Sequence, residues 1–181
     1  TVGWLTMILS GMIPYYLSNS IDSFSNIFFE TMSGYTATGS TILDDVEALP
    51  KSIIFWRSMT HWLGGMGIIV LAIAILPLLG IGGMQLFSAE VPGSGISGDK
   101  IHPRISATAK RLWLIYFGLT ILETMALSIA GMSFFDALNH SMSNIATGGF
   151  STKNESLAYW NSIPSVQYIV NFFMILAGTN Y

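Results

Sequence analysis

The sequence contains no cysteine, three histidines and few charged residues, since Asp, Glu, Lys and Arg make up only 9% of its 181 residues. An average soluble domain has roughly 25% charged residues. The absence of cysteine excludes disulfides, thiolate nucleophiles and thiolate metal sites. Seven basic against ten acidic residues give a net charge of −3, which excludes a basic surface for nucleic acid. Because 51% of the chain is hydrophobic, the composition predicts a membrane protein.

The motifs of common hydrolases and metalloenzymes are also missing. There is no His-Glu-x-x-His or Gly-x-Ser-x-Gly sequence, and the three histidines lie in separate segments. One Gly-x-Gly-x-x-Gly sequence occurs at 93–98, but it follows a predicted membrane span rather than a strand, so we interpret it as a flexible connection. We therefore predict that the chain is not an enzyme and holds no cofactor. An intramembrane enzyme and a non-conducting membrane subunit are the alternative functions.

Four apolar segments are long enough, or nearly so, to cross a membrane as helices. A span needs about 20 apolar residues, with a usual range near 17–25. The sequence therefore predicts an all-α, multi-pass membrane protein in contact with lipid. The four predicted spans are 2–17, 53–79, 112–130 and 164–181.

Two further apolar segments, 23–35 and 133–145, are too short to cross a membrane. As helices they would each be about 20 Å long, which is the length of a re-entrant helix that does not reach the other side. Each is followed by a loop rich in glycine and hydroxyl groups, the first loop at 36–41 and the second loop at 146–152. Irregular backbone at membrane depth is tolerated only inside protein or beside water. The predicted architecture is a span, a half-helix, a loop and a span, present twice in tandem.

The two halves of the sequence share this order of segments. An offset of 110 residues places Gly39 on Gly149, whereas an offset of 109 places it on Gly148. Identity is low in both registers, so the sequence leaves the register open by one residue. The shared order of segments predicts an internal duplication.

The basic residues predict the orientation of the chain. The connection 84–111 carries four basic residues, and the loops around the short helices carry three, which are Lys51, Arg57 and Lys153. The positive-inside rule therefore places the connection in the cytoplasm and both glycine-containing loops on the outer side. The acidic run 44–47 would then lie at the outer mouth, where it either concentrates cations or forms a solvated loop.

The first and second loops have the composition of a cation selectivity filter. A half-helix entering from outside directs its C-terminal end, with about half a negative elementary charge, into the membrane. Glycine allows the following backbone to turn its carbonyls towards an axis, and in potassium channels rings of carbonyls replace the water shell of the ion. Threonine hydroxyls would add ligands or anchor the loops, and plain re-entrant packing is the alternative role of both loops. The residues predicted to line this filter and bind the cation are Thr36, Ala37, Thr38, Gly39, Ala146, Thr147, Gly148 and Gly149.

Several titratable side chains lie in the predicted membrane segments. Intramembrane carboxylates usually face protein or water, and for Glu123 we favour a structural hydrogen bond over a transport role. Glu30 and His140 are equivalent at the offset of 110, where they either pair with each other or form separate hydrogen bonds to backbone. We favour the separate bonds. His61, which precedes Trp62, is interpreted as an anchor at the outer membrane boundary.

Three segments resemble a known family. The run SGYTATGST at 33–41 resembles the first pore loop of the TrkH/KtrB family of potassium transporters, and HWLGGMG at 61–67 resembles the start of that family's next helix. The run SNIATGGFST at 143–152 resembles its second pore loop. The similarity spans essentially the whole chain and is strongest to the TrkH branch.

The resemblance implies four non-identical pore units around one pathway in the bacterial inner membrane, with potassium as the substrate. It also implies a homodimer and a cytosolic, nucleotide-binding regulatory subunit of the TrkA-like type. The first unit would then occupy 1–83, with the cytoplasmic connection at 84–111. The second unit would occupy 112–181 and be truncated in its last helix. Two remaining pore units would complete the pathway.

Overall fold

The computed structural model of the chain describes residues 2–67 and 102–178. Within these ranges the chain is helical and contains no β-strand, which confirms the predicted all-α class. The sequence at 93–98, most of the connection 84–111, the part of the span 53–79 beyond residue 67 and positions 179–181 lie outside the described residues. The α-helices of the described part are α1 (Val2–Leu17), α2 (Phe24–Tyr35), α3 (Lys51–Trp62), α4 (His102–Ala130), α5 (Phe134–Ile145) and α6 (Pro164–Gly178).

The helix bounds follow the apolar segments closely. The predicted bounds of α1, α2 and α5 agree with the structure to within one residue. Helix α4 begins earlier than residue 112, so the end of the predicted connection 84–111 is helical. Helix α3 is followed by a π-helical turn, Leu63–Gly67, in which Gly65 has the non-helical torsions φ −59° and ψ −133°. Glycine tolerates such a kink because it has no Cβ.

The ends of α5 are encoded locally. The Ser133 hydroxyl accepts a hydrogen bond from the backbone N–H of Asp136 at 3.2 Å, which satisfies one of the free donors at the helix start. The Asp136 carboxylate lies in the first turn, where the helix dipole favours a negative charge. Helix α5 ends at Ile145, immediately before the Ala-Thr-Gly-Gly run that disfavours further helix.

Polar side chains lie inside the protein and large apolar ones lie on its outside. Glu30, Arg57, His61 and Glu123 are each at most 1% exposed. Fully buried charged groups beneath an exposed apolar surface are rare in soluble proteins, and they are the pattern expected where lipid covers the outer surface and charged groups face protein. Exposed apolar side chains occur on α1, α4 and α6, including Leu9, Tyr16, Ile129, Tyr168 and Phe172.

One stretch of the described residues, Lys110–Ala130 in α4, is long and apolar enough to cross a membrane by its length and composition. Helix α6 is apolar but shorter. The buried charged groups and the exposed apolar side chains described above support the membrane assignment independently of helix length.

Two apolar clusters hold the helices together. The first joins α1, α2 and α3 through side chains that include Ile8, Tyr15 and Ile27. The second joins α4, α5, α6 and the 3₁₀ turn Ser156–Trp160 through Leu127, Trp160 and Val170, among others. The chain divides into two compact units, one made of Thr1–Gly65 with Leu119–Tyr181 and the other of Met66–Gly118. Helix α3 packs against α5 within the first unit, which contains both glycine-containing loops.

Candidate functional site

The first and second loops leave their helices by the same turn. After α2, the N–H of Ala37 donates to Gly34 O at 3.0 Å, and the N–H of Thr38 donates to Ser33 O at 3.0 Å. After α5, the N–H groups of residues 147 and 148 donate to the carbonyls of residues 144 and 143, at 2.8 and 2.9 Å. Donors and acceptors of the two turns therefore correspond at a spacing of 110 residues.

The backbone torsions of the loops correspond at the same spacing. Ala37 and Thr147 have φ values of 50° and 56°, and Gly39 and Gly149 have φ values of 76° and 87°. The residues before Ala37 and Thr147 have negative φ values, −83° and −76°. Positive φ values at alternate positions exclude both a continuous helix and an extended strand through these residues. Both loops therefore have irregular backbone immediately after their short helices, as the sequence predicts.

Two of these left-handed residues, Ala37 and Thr147, are not glycine, and no sequence pattern predicted this. A residue with a Cβ in this region carries strain of roughly 1–3 kcal/mol, and such residues are concentrated at functional sites. Ala37 and Thr147 are thus held in place by the structure around them.

The two loops meet at their glycines. A Cβ added to Gly39 would overlap the carbonyl oxygen of Gly148, so the backbones approach as closely as a missing side chain allows. A Cβ added to Gly148 would overlap the imidazole ring of His61. By contrast, a Cβ added to Gly149 would meet nothing within 4 Å. The three predicted site glycines therefore lie close together but have different neighbours.

The threonine hydroxyls are hydrogen-bonded within the loops. The Thr36 hydroxyl donates to Met32 O at 2.8 Å and is also 2.8 Å from the Thr38 hydroxyl. The Thr147 hydroxyl donates to the carbonyl oxygen of Ala146 at 2.7 Å. All three threonine hydroxyls thus have hydrogen bonds within the loops or to the preceding helix, which is the anchoring role that the sequence offered as one of two.

A buried ion pair lies behind the first loop. The Arg57 Nε donates to Glu30 Oε1 at 2.8 Å, and both side chains are at most 2% exposed. The Glu30 carboxylate also accepts from the hydroxyl of Thr41 at 2.9 Å and from the N–H of Ile42 at 3.2 Å. The prediction that Arg57 is one of the basic residues of the outer loops is wrong. Arg57 lies within α3 and faces the protein interior.

His61 lies one helical turn after Arg57 and is also buried. Its ring stacks on Phe150 with a centroid distance of 3.9 Å and an interplanar angle of 13°. Its Nδ1 is 2.9 Å from the Ser143 hydroxyl. The interpretation of His61 as an anchor at the membrane boundary is therefore wrong, because the side chain is 0% exposed and contacts the second loop.

Glu30 and His140 do not pair with each other. His140 Nε2 is 3.0 Å from the Ser151 hydroxyl, and its Nδ1 is 2.8 Å from Asp136 O. The prediction of separate hydrogen bonds is thus confirmed. Both side chains contact the hydroxyl eleven residues further on, Thr41 for Glu30 and Ser151 for His140.

Glu123 of α4 is hydrogen-bonded to the second short helix. Its Oε1 accepts from the Asn144 side-chain amide at 2.7 Å, and the same amide nitrogen donates to Val170 O at 3.0 Å. Asn144 thus links α4, α5 and α6 immediately before the second loop. These contacts supply the structural hydrogen bond that we favoured for Glu123.

The segments beyond the loops are joined by polar contacts at the surface. Lys153 Nζ lies 2.9 Å from Glu47 Oε2, and the Asn154 amide donates to Asp45 Oδ1 at 2.8 Å. The hydrogen bond from Asn154 lowers the pKa of Asp45, and the hydrogen bond to Glu47 raises the pKa of Lys153. Because the pKa of Asp45 is lowered on folding, its contribution to stability is present above the unfolded pKa and is lost as the pH falls through the folded value.

A cavity of about 150 Å³ lies beside the second loop. The cavity is partly open, and Gly149 lies at its wall. A Cβ added to Gly149 would therefore extend into empty space. Over the part of the chain that the structure describes, no group of three or more His, Cys, Asp or Glu side chains is placed to hold a metal ion. The other side chains around the cavity include His140, Ser143, Asn144, Ser151 and Val170.

The comparison with protein families matches the TrkH family, described as a cation transport protein, over residues 1–181. The chain belongs to the TrkH family. It is 49% identical to the Trk system potassium uptake protein TrkH of Salmonella typhimurium, over 98% of this chain and 37% of that protein. It is 48% identical to the TrkH of Escherichia coli strain K12, with the same coverage.

A solved relative also has this fold. The crystal structure of the potassium transporter TrkH from Vibrio parahaemolyticus matches with a TM-score of 0.75 at 41% identity, covering 97% of this chain and 34% of that one. The chain thus spans little more than a third of the length of the TrkH relatives that it matches. Membership of this family makes it an α-helical membrane protein.

Proposed function

We propose that this chain forms part of a potassium uptake pathway, in which the first and second loops contribute backbone carbonyls to a selectivity filter. The observation that carries the proposal is the meeting of the two loops at Gly39 and Gly148, each loop having φ values of alternating sign. The relatives are potassium uptake proteins, and this similarity supplies the identity of the ion.

The electrostatics of the loops suit a monovalent cation. Helices α2 and α5 both direct their C-terminal ends towards the loops, and each such end carries about half a negative elementary charge. Carbonyl dipoles add to this potential without a fixed full charge, so an ion can bind and leave. The filter residues we propose are Thr36, Ala37, Thr38, Gly39, Ala146, Thr147, Gly148 and Gly149.

We infer that the chain holds two copies of one repeat, aligned at the offset of 110. The matching turns and torsions support this register over the offset of 109. The first copy would occupy 1–83 and the second 112–181, joined by a cytoplasmic connection at 84–111. Two further pore units in the complete protein would close the ring around the ion.

The proposed setting is the bacterial inner membrane, with the glycine-containing loops towards the outside. Because Arg57 is buried in α3, the loops on the proposed outer side carry only two basic residues, Lys51 and Lys153, against four in the connection 84–111. This larger difference supports the proposed orientation under the positive-inside rule. A homodimer and a cytosolic, nucleotide-binding, TrkA-like subunit are the proposed partners, by resemblance to the family.

The orientation can be tested by labelling single cysteines in this cysteine-free chain. Cysteine in place of Asp45 is expected to react with a membrane-impermeant maleimide that is added outside the cell. Cysteine in place of Ser97 is expected to react only when the reagent can reach the cytoplasmic side of the membrane. An odd number of crossings separates the two positions in the proposed topology. Reaction of both from the same side would contradict a single crossing of the membrane by the span 53–79 between them.

Transport itself is tested with the complete protein that contains this chain. We expect it to restore growth of a potassium-uptake-deficient bacterium on low-potassium medium, together with its regulatory subunit. Rubidium uptake into the same cells measures the flux directly. Protein that is present in the membrane but supports neither growth nor rubidium uptake would contradict the proposal.

A further inference from the structure

Arg57 contacts both glycine-containing loops from a single helix. Its Nη2 donates to the Thr41 hydroxyl in the first loop at 3.2 Å, and its Nη1 donates to Ser151 O in the second loop at a longer 3.4 Å. The guanidinium carbon also lies 4.1 Å from the centroid of the Phe150 ring. The second loop is therefore held from the helix that follows the first loop.

The two contacts of Arg57 are at equivalent positions. Thr41 lies two residues after Gly39, and Ser151 lies two residues after Gly149. At the offset of 110 these two residues correspond to each other. A planar guanidinium has donors in a fixed fork, so it can set the separation of two partners as well as contact them.

His61 extends the same contact surface by one helical turn. It stacks on Phe150 and would collide with any side chain at residue 148. Side chains four residues apart lie on one face of a helix. The face of α3 that carries Arg57 and His61 thus contacts the second loop at residues 148, 150 and 151.

The charge of Arg57 is neutralised locally. A cation buried beside a cation pathway would repel the transported ion, and an unpaired buried charge is also strongly destabilising. Glu30 is fully buried and accepts a hydrogen bond from Arg57 Nε at 2.8 Å, with further hydrogen bonds from the Thr41 hydroxyl and the N–H of Ile42. The pair is therefore neutral as a unit, while the guanidinium keeps its donors for both loops.

We propose that Arg57 is a positioning residue that fixes the separation of the first and second loops and so determines ion selectivity, with Glu30 cancelling its charge. This inference rests on the proposed function, because selectivity is defined only for a transporting protein. Arg57 acts through its hydrogen bonds to the two loops and does not itself touch the ion.

Four variants of the complete protein in proteoliposomes separate geometry from charge. Arg57→Lys keeps the charge but loses the fork, so the preference for rubidium over sodium is expected to fall about tenfold, which corresponds to about 1.4 kcal/mol of differential binding. Arg57→Gln is expected to lower it at least as much. Glu30→Gln leaves the cation unpaired, so the rubidium concentration for half-maximal uptake is expected to rise. Glu30→Gln with Arg57→Gln is expected to restore that concentration without restoring selectivity.

The chain offers a matched control in the exposed ion pair. Lys153 and Glu47 also connect the two halves, but at the surface, so Lys153→Gln is expected to leave the rubidium-to-sodium ratio unchanged. Equal losses in Lys153→Gln and Arg57→Lys would overturn the inference, since any link between the halves would then suffice. Wild-type selectivity in Arg57→Lys or in the double variant would also overturn it.

If a single variant fails to insert into the membrane, selectivity can still be measured in the double variant, because the double variant buries no unpaired charge. Failure of the inference is distinct from failure of the proposed function. If the unsubstituted protein carries no rubidium, the proposed function is wrong. If it carries rubidium selectively and the Arg57 variants do as well, only the positioning role is wrong.

Discussion

Serine in place of Gly39 in the complete protein is expected to lower the preference for potassium over sodium by about tenfold or more, which corresponds to about 1.4 kcal/mol for each factor of ten. Two effects act together. A residue with a Cβ at φ 76° carries strain of roughly 1–3 kcal/mol, and that Cβ would overlap the carbonyl oxygen of Gly148. The loops must move apart, so the carbonyl positions loosen. Competition of sodium with rubidium uptake measures the loss.

Gly149→Ser is the matched control for this variant. Gly149 has a similar positive φ of 87°, but a Cβ there would meet nothing within 4 Å. The two variants thus share the backbone strain and differ in the collision, so Gly149→Ser is expected to lose less selectivity than Gly39→Ser. Equal amounts of protein in the membrane show that insertion is unaffected. Unchanged selectivity in a well-inserted Gly39→Ser protein would count against the filter role of Gly39.

Sensitivity of a glycine does not by itself reveal the register of the two loops. Gly148 is expected to tolerate no side chain, because the His61 ring occupies the space beside it. That intolerance comes from packing and says nothing about correspondence with Gly39. The hydrogen-bonded turns and the positive φ values are the better guide, and they correspond at 110 residues.

The positions of the helices and loops could be predicted from the sequence because they depend on local properties. Length and hydropathy located α1, α2 and α5 to within a residue, and the Gly-Thr runs located the loops. The start of α4 was misplaced, because the basic residues before residue 112 resemble a connection although they continue a helix.

The contacts of α3 with α5 and the second loop could not be predicted, because they join residues far apart in sequence. Arg57 reaches Ser151 across 94 residues, and His61 reaches Ser143 across 82. A signal for Arg57 was nevertheless available. A charged residue inside a predicted span is by default a functional candidate with a buried partner, and Arg57 lies within the predicted span 53–79. The reasoning that predicted a hydrogen bond for Glu123 inside the protein therefore applies equally to Arg57.

The 181-residue chain expressed alone is expected to restore no growth to a potassium-uptake-deficient host. A selectivity filter needs carbonyl ligands on all sides of the ion, and two loops supply only some of these ligands. Filter carbonyls left against lipid would cost several kcal/mol each. In the complete protein, other pore units would face these carbonyls.

Two copies of the chain would supply four loops. However, the interface between the second loop of one copy and the first loop of the other would differ from the interface between the two loops within one copy. The first interface uses the α3 face that carries Arg57, whereas α6, which follows the second loop, contains no lysine or arginine. A neighbouring copy would therefore meet no guanidinium on the corresponding helix. Co-expression of this chain with the remainder of the protein is the positive control and is expected to restore growth. Rescue by this chain alone, at matched membrane levels, would show that two of its copies close a working pore and that Arg57 is dispensable at one interface.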